Sequence, residues 1–449
     1  MPSLVQRTTS TLLRPFTKVH PDEALTVVLM TLAAFLLLTA YYLLKTVREP
    51  LILLHGGAEV KLYARAGQAL LMVGVVHAYG ELARRFGRIK LLAIVFVFFM
   101  SNLALFALLA GTSVPIALPF FLWVGVFSYT VVAQFWALAA DLYSEEQGKR
   151  LFPIIGAGSS IGAVIGGLVA KSLVPYGTQA LMFGALFILL VCVGVIVVIE
   201  RGAVVRSPAR AAEPETPMST ESAWHLIARD RYLLYIAGMV IVLNWVNSSG
   251  EYLLDRTVVI AAKQAHDVSA QQYIGAFKAD YYFWYNLIGV ALELFAVSRI
   301  FKLIGVRRAL YVMPIFAFGA YAAAAAMPVL AIMRQVKIGE NALQYSLQDT
   351  SRNALFLVTS RPEKFVGKTA TDTVAVRVGA IMSTIGVFIG ARLAWSIATF
   401  AVINVVLAVV WIGFVVLIGR EHGRRSREEP AELAREPLVG AHPATSPAP

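Results

Sequence analysis

Residues 178–200 read TQALMFGALFILLVCVGVIVVIE, and residues 201–222 follow at once as RGAVVRSPARAAEPETPMSTES. The first stretch is apolar for long enough to cross a bilayer, which takes about 20 residues of helix. The second carries Ser207-Pro208, Glu213-Pro214 and Thr216-Pro217 and has no apolar period. Such a composition cannot bury a core, so this stretch is expected to be disordered. A spanning helix that runs into a polar linker near the middle of a chain is a seam between two halves. Six apolar runs precede the linker and six follow.

The runs lie at roughly 24–54, 60–82, 89–110, 117–141, 150–172, 178–200, 230–256, 272–298, 308–327, 328–349, 368–392 and 397–419. The ninth and tenth are split only by Met327-Pro328. The first is long and is interrupted by Lys45, Arg48, Glu49 and Pro50. Of the 449 residues, 58% are hydrophobic and 15% charged, against about 25% charged in soluble proteins. The mean hydropathy is +0.70. The expected fold is an all-α membrane protein of twelve transmembrane helices in two six-helix halves. A parallel repeat of this kind builds many secondary transporters. The expected units are an N-terminal segment 1–22, a first half 23–200, a linker 201–228, a second half 229–420 and a disordered tail 421–449. The first apolar run has no A-x-A cleavage signal at its end, so it reads as a membrane helix and not as a signal peptide.

Lys and Arg outnumber Asp and Glu by 39 to 27. On a soluble domain that excess would point to nucleic acid, but no region outside the apolar runs is large enough to fold and carry such a site. The excess fits the positive cytoplasmic loops of membrane proteins instead. Arg84, Arg85, Arg88 and Lys90 lie between runs two and three, and Arg299, Lys302, Arg307 and Arg308 between eight and nine. Arg361, Lys364 and Lys368 lie between ten and eleven, and Arg420, Arg424, Arg425 and Arg427 follow the last. Residues 111–116 carry no charge. Both termini are therefore expected to be cytoplasmic. The single cysteine, Cys192, excludes an intramolecular disulfide and any Cys-based zinc site.

Ionisable groups at bilayer depth are costly and call for a reason. The first run carries Lys45, Arg48 and Glu49, with Leu51-Ile52-Leu53-Leu54 continuing beyond. Lys45 lies about 30 Å along a helix begun at Ala24. It fits either a functional role or snorkelling to the interface. The seventh run carries Asn244, Asn247, Glu251, Asp255 and Arg256. Runs one and seven are repeat equivalents, so both sets should face one cavity, while Asp255 and Arg256 read as an interfacial ion pair. The tenth run carries Arg334, Lys337, Glu340, Asn341, Gln344 and Gln348 at three- and four-residue spacing, one polar stripe that should line water or substrate. The eleventh adds Asp372 and Arg377. Gly158, Gly162 and Gly166 in the fifth run suit close helix packing.

No enzyme motif appears. Gly367-Lys368-Thr369 looks like the end of a P-loop, but Pro362 stands where its first glycine would be, and no βα unit surrounds it. No metal site or cofactor is expected.

Gly80-Glu81-Leu82-Ala83-Arg84-Arg85-Phe86-Gly87-Arg88-Ile89-Lys90 resembles the major facilitator signature G-x-L-a-D-R-x-G-R-[RK], with Arg84 at the acidic position. Gly80, Arg85, Gly87 and Arg88 would form a gating loop, its glycines letting helices pack. Three further segments resemble the nucleotide exchange translocases, the ATP/ADP antiporter branch of that superfamily. Lys45-Thr46-Val47-Arg48-Glu49-Pro50-Leu51-Ile52 is similar to R-T-L-K-D-T-L-V. Phe135-Trp136-Ala137 with Gln147-Gly148-Lys149-Arg150-Leu151-Phe152 is similar to F-W-G and E-A-K-R-F-Y. Tyr345-Ser346-Leu347-Gln348-Asp349, Gly367-Lys368-Thr369-Ala370-Thr371-Asp372 and Arg377-Val378-Gly379 resemble K-Y-S-L-F-D, G-K-A-A-x-D and A-R-L-G.

The resemblance implies a central cationic site for a phosphate-bearing substrate, with Arg48 in the place of an essential first-helix lysine and Glu251 matching a seventh-helix acid. Ala380 stands where the family has a lysine, and Val124 near where it has an acid. The expected function is a secondary transporter that exchanges nucleotides or another phosphorylated anion across a bacterial inner membrane, acting as a monomer. Its substrate-binding residues would be Lys45, Arg48, Glu49, Glu251, Arg334, Lys337, Glu340, Gln344, Asp372 and Arg377. Two alternatives stand beside it: proton-coupled transport of a different solute, and a non-transporting scaffold or sensor of the same fold.

Overall fold

In a computed structural model the described residues are 19–204, 229–356, 368 and 371–433. Among them the chain is helical, without a strand. The first two runs form one long helix, Pro21–Arg85, bent back on itself only at Gly57. Gly57 has φ +75°, a region that costs a glycine little and other residues much. Pro50 lies inside the first arm without ending it. The next spans are Arg88–Leu109, Ala117–Leu142, Glu145–Leu173 and Gly177–Val204. Ser144 opens the fifth span, its hydroxyl and the Gln147 side chain forming a reciprocal capping box, which satisfies two of the amides left free at a helix start.

The second half begins at Asp230, whose carboxylate accepts from the Tyr232 and Leu233 amides. Its seventh span is Arg231–Gln264. The eighth is Ala270–Ala291, continued through a wide π turn at Leu292–Val297 and turned at Gly305, also at positive φ. Val312–Ala326 and Leu330–Leu343 follow, parted at residues 327–329. A second π turn, Gln344–Gln348, carries the tenth span on to Leu355. A third, Thr371–Ala375, opens the eleventh, Val376–Arg392. Among the described residues seven helical stretches are long and apolar enough to cross a membrane, and two of them, Glu23–Arg85 and Arg150–Arg201, each cover two of the expected passes. The helices are consistent with twelve crossings.

Among the described residues two large hydrophobic cores and one small cluster form; one large core lies in the first half, and the other, mostly in the second, takes in Tyr42, Ile52 and Leu53 of the first span. Large apolar side chains such as Leu70, Phe187 and Val406 stay exposed, as a lipid-facing surface requires. Glycines set the close contacts within each half. A Cβ on Gly162 would lie 2.3 Å from the Phe35 carbonyl oxygen, and one on Gly379 2.3 Å from the Ile241 carbonyl oxygen. The first span thus packs on the fifth as the seventh packs on the eleventh, which is the repeat seen in side-chain detail.

Two expectations change. The last helix, Ile397–Leu433, continues past residue 420, where a disordered tail was expected. Arg424 pairs there with Glu421, three residues away, a contact that favours the helix. Residues 434–449 and most of the 201–228 linker lie outside the described residues. In the Gly80–Lys90 loop, Gly87 has φ −62° as the residue before a helix, and a Cβ on Gly80 or Gly87 would meet nothing within 4 Å. The glycines are therefore not required there for helix packing. Arg85 is exposed, Arg84 pairs with Glu81, and the Arg88 side chain lies outside the described residues.

Candidate functional site

The halves meet through the first, second and fifth spans on one side and the seventh, eighth and eleventh on the other. Between them, toward the end of the bundle that holds Gly57, lies a group of buried charges. Glu49 in the first span accepts from Arg48, 2.6 Å from Nη2 to Oε1, and from Lys61 Nζ just past the Gly57 bend. Lys61 also reaches Asp255 Oδ2 at 2.6 Å, and Lys278 of the eighth span holds Asp255 Oδ1 at 2.6 Å. Glu251 completes the group, 3.5 Å from Lys278, 3.7 Å from Lys61 and 3.8 Å from Arg65. Glu49, Lys61, Asp255 and Lys278 are at most 1% exposed. Lys61 and Arg65 lie four residues apart on one helix, and Glu251 and Asp255 four apart on another. Each like-charged pair would repel on an isolated helix. Facing one another, the pairs offset that repulsion, which is how several charges can share a dry site.

A second polar group adjoins the first at Gly250, where a Cβ would lie 3.2 Å from Lys337 Cδ. Lys337 Nζ lies 2.8 Å from Glu340 Oε2 and donates to Asn247 O at 3.2 Å. Tyr321 OH donates to Glu340 Oε2 at 2.6 Å, while Glu340 Oε1 is buried with no hydrogen-bond partner among the described residues. Gln344 accepts from Asn247 Nδ2.

Lys45 has a different environment. Its Nζ lies 4.4 Å from the Tyr282 ring centroid, 5.1 Å from that of Tyr42 and 5.5 Å from that of Tyr285, and it donates to Tyr285 OH at 3.0 Å. The electron-rich ring faces hold this cation without neutralising it. Arg377 is exposed and donates to Ala69 O of the second span at 3.3 Å. Ala69 lies one helical turn beyond Arg65. Neither Lys45 nor Arg377 has a carboxylate partner among the described residues.

The structure therefore gathers Arg48, Glu49, Glu251, Lys337, Glu340 and Gln344, and Lys45 and Arg377 each contact the opposite half. Two expected members stand apart. Arg334 pairs with Asp280 at 2.5 Å, and Asp280 in turn with Lys171 of the fifth span at 2.6 Å. Asp372 pairs with Lys368 at 2.9 Å and with Arg352 at 3.4 Å, toward the opposite end from Gly57. Arg334 stands one turn before Lys337 on the same unbroken helix, Leu330–Leu343, and reaches Asp280 of the eighth span, while Asp372 lies in the π turn that opens the eleventh span, ahead of Arg377. Asp255 and Arg256 are not an interfacial pair, because Arg256 donates to Trp395 O instead.

Lys61, Arg65 and Lys278 went unnoticed in the sequence, as did the tyrosines of the eighth span. The signal was there. Lys61 and Arg65 stand inside an apolar run, and Lys278 lies three residues before Tyr281-Tyr282.

Comparison with solved structures defines the class. A bacterial homologue of the human lysosomal transporter Spinster, in an inward-facing and unoccupied conformation, superposes with a TM-score of 0.57 at 14% identity, over 91% of this chain and 99% of that one. The nucleoside transporter NupG does so with 0.57 at 11%, over 89% and 98%. The POT family transporter PepTSo gives 0.62 at 10%, over 91% and 98%. The fold is that of major-facilitator-type transporters. Residues 5–112 match the family model described as TLC ATP/ADP transporter. The chain thus has the fold of a multi-pass membrane protein, shared with transporters. No curated protein matches it.

Proposed function

We propose that this transporter exchanges nucleotides, or another phosphorylated anion, across a bacterial inner membrane by alternating access. The observation that carries the reading is the pair Lys45 and Arg377, basic side chains that each reach across to the other half with no carboxylate within ion-pair distance among the described residues. Arginine suits phosphate through its paired N–H groups, and lysine acts as a point charge. Arg377 lies one turn before Ala380, on the same helix face, and supplies a charge where the resembling family has its lysine. Val124 is fully buried in the apolar core, so that position itself offers no acid.

With both termini placed in the cytoplasm, the Gly57 end is the outer face. The Lys61–Asp255 and Lys171–Asp280 pairs then latch that face shut. Substrate reaches the cations from inside, and the halves rock as the latch separates.

Reconstituted protein should take up labelled ATP only when ATP, ADP or phosphate is already inside the vesicles. Glu340 favours a second reading, proton-coupled transport of another solute, since its buried Oε1 lacks a donor among the described residues. Uptake into empty vesicles driven by a pH gradient and lost in Glu340→Gln would select that reading.

A further inference from the structure

Tyr345 of the tenth span is 56% exposed, and its ring lies against Tyr285, whose hydroxyl bonds Tyr42 of the first span. One face of its ring leans on Tyr285, 6.0 Å between centroids and 31° between planes. Tyr285 is itself 2% exposed and bonded to Tyr42 OH and Lys45 Nζ. A ring backed on one side and open on the other, facing the space between the halves, is a stacking surface without its partner. Tyr345 lies within the π turn Gln344–Gln348, and such turns are frequent at functional sites. Gln344 stands beside it. Its carbonyl oxygen accepts from Asn247, and its amide nitrogen has no partner among the described residues. Side-chain amides pair with the ring nitrogen and amino group of a purine.

We propose that Tyr345 is the platform on which a flat nitrogen-heterocyclic ring of the substrate stacks, with Gln344 at the ring edge and the phosphates against Lys45 and Arg377. This rests on the phosphorylated-anion reading above and adds to it a requirement for the ring. Lys45 touches the same tyrosine that backs Tyr345, so ring and phosphate sites are one side chain apart. A nucleoside 5′-phosphate bridges such a gap, whereas inorganic pyrophosphate would occupy the cations alone. Tyr345 is a specificity residue here, and its loss should weaken ring-bearing ligands selectively.

The test is binding to purified full-length protein, read as thermal-shift titrations with ADP, ribose 5-phosphate and pyrophosphate. Wild type should bind ADP more tightly than either ringless anion. Tyr345→Ala and Tyr345→Leu should weaken ADP about tenfold or more, the range of base stacking on an aromatic ring, and leave pyrophosphate unchanged. Tyr345→Phe should restore ADP binding. Either aliphatic variant suffices if the other fails to fold. Equal weakening of ADP and pyrophosphate, unchanged ADP binding, or no wild-type preference for ADP over ringless anions would overturn the platform while leaving the anion reading standing. Failure of wild type to bind any of the three would overturn both.

Discussion

Lys61 Nζ lies 2.6 Å from Asp255 Oδ2, and the two residues belong to opposite halves of the bundle. Lys278 holds the other oxygen of the same carboxylate, so Asp255 is shared between a base from each half. The arrangement ties the halves together where they meet and sets the buried acids Glu49, Glu251 and Asp255 against the bases Lys61 and Lys278. Separation of the halves at this end must break the Lys61 contact and can leave the Lys278 contact intact, because Asp255 and Lys278 move together.

Lys61→Met should therefore loosen the Gly57 end. Removing one member of a buried ion pair typically costs about 3–5 kcal/mol. Part of that loss should return in Lys61→Met/Asp255→Leu, which leaves no orphaned partner across the interface. A cysteine at Gly275 reports the opening. That position is buried and a Cβ there meets Val174 at an ordinary 3.5 Å, while native Cys192 is buried and protected. The thiol should label faster in Lys61→Met than in its parent, and equal rates would argue that the pair is no latch.

Gly162→Leu should destabilise the first half by about 1–3 kcal/mol or more, the usual cost of overpacking, since its Cβ would strike backbone. Gly379→Leu should do the same in the second half. Gly194→Ala, where a Cβ meets nothing within 4 Å, should leave the melting temperature unchanged. A stable Gly162→Leu variant would show that the first and fifth spans do not approach so closely.

Lys45→Ala and Arg377→Ala should each raise the half-saturating substrate concentration by roughly 10- to 100-fold, the worth of one charge-assisted contact. Their melting temperatures should stay near wild type, because neither leaves a carboxylate without its partner. Lys337→Ala should behave differently and lose stability as well, since Glu340 is buried against it. Saturation curves beside melting curves distinguish the two classes.

Much of the fold could be read from the chain. Apolar run length, the proline-rich linker and the positive loops all report directly on the bilayer, and the helices fall where the runs do. The glycine stripe at 158, 162 and 166 also carried its meaning openly, because small residues at four-residue spacing have one main use. The site was legible in part. Glu49 and Glu251 stood out as acids in apolar runs, yet their partners Lys61 and Lys278 lie on helices whose approach no local pattern reveals. Arg334 and Lys337 share one unbroken helix, yet Arg334 meets Asp280 of the eighth span while Lys337 meets Glu340, a choice of partner that spacing alone does not reveal. Asp372 lies in the π turn that opens the eleventh span and pairs with Lys368 and Arg352.

Efflux from preloaded vesicles tests the central claim most directly. Liposomes holding the protein and labelled ADP are diluted into buffer, and release is followed before and after unlabelled ADP, pyrophosphate or uridine is added outside. An exchanger with a cationic site should hold its label in plain buffer and with neutral uridine, then release it when ADP is added, with Arg377→Ala needing more ADP for the same rate. Release at one rate in all conditions, or release triggered by uridine and not by ADP, would contradict the account.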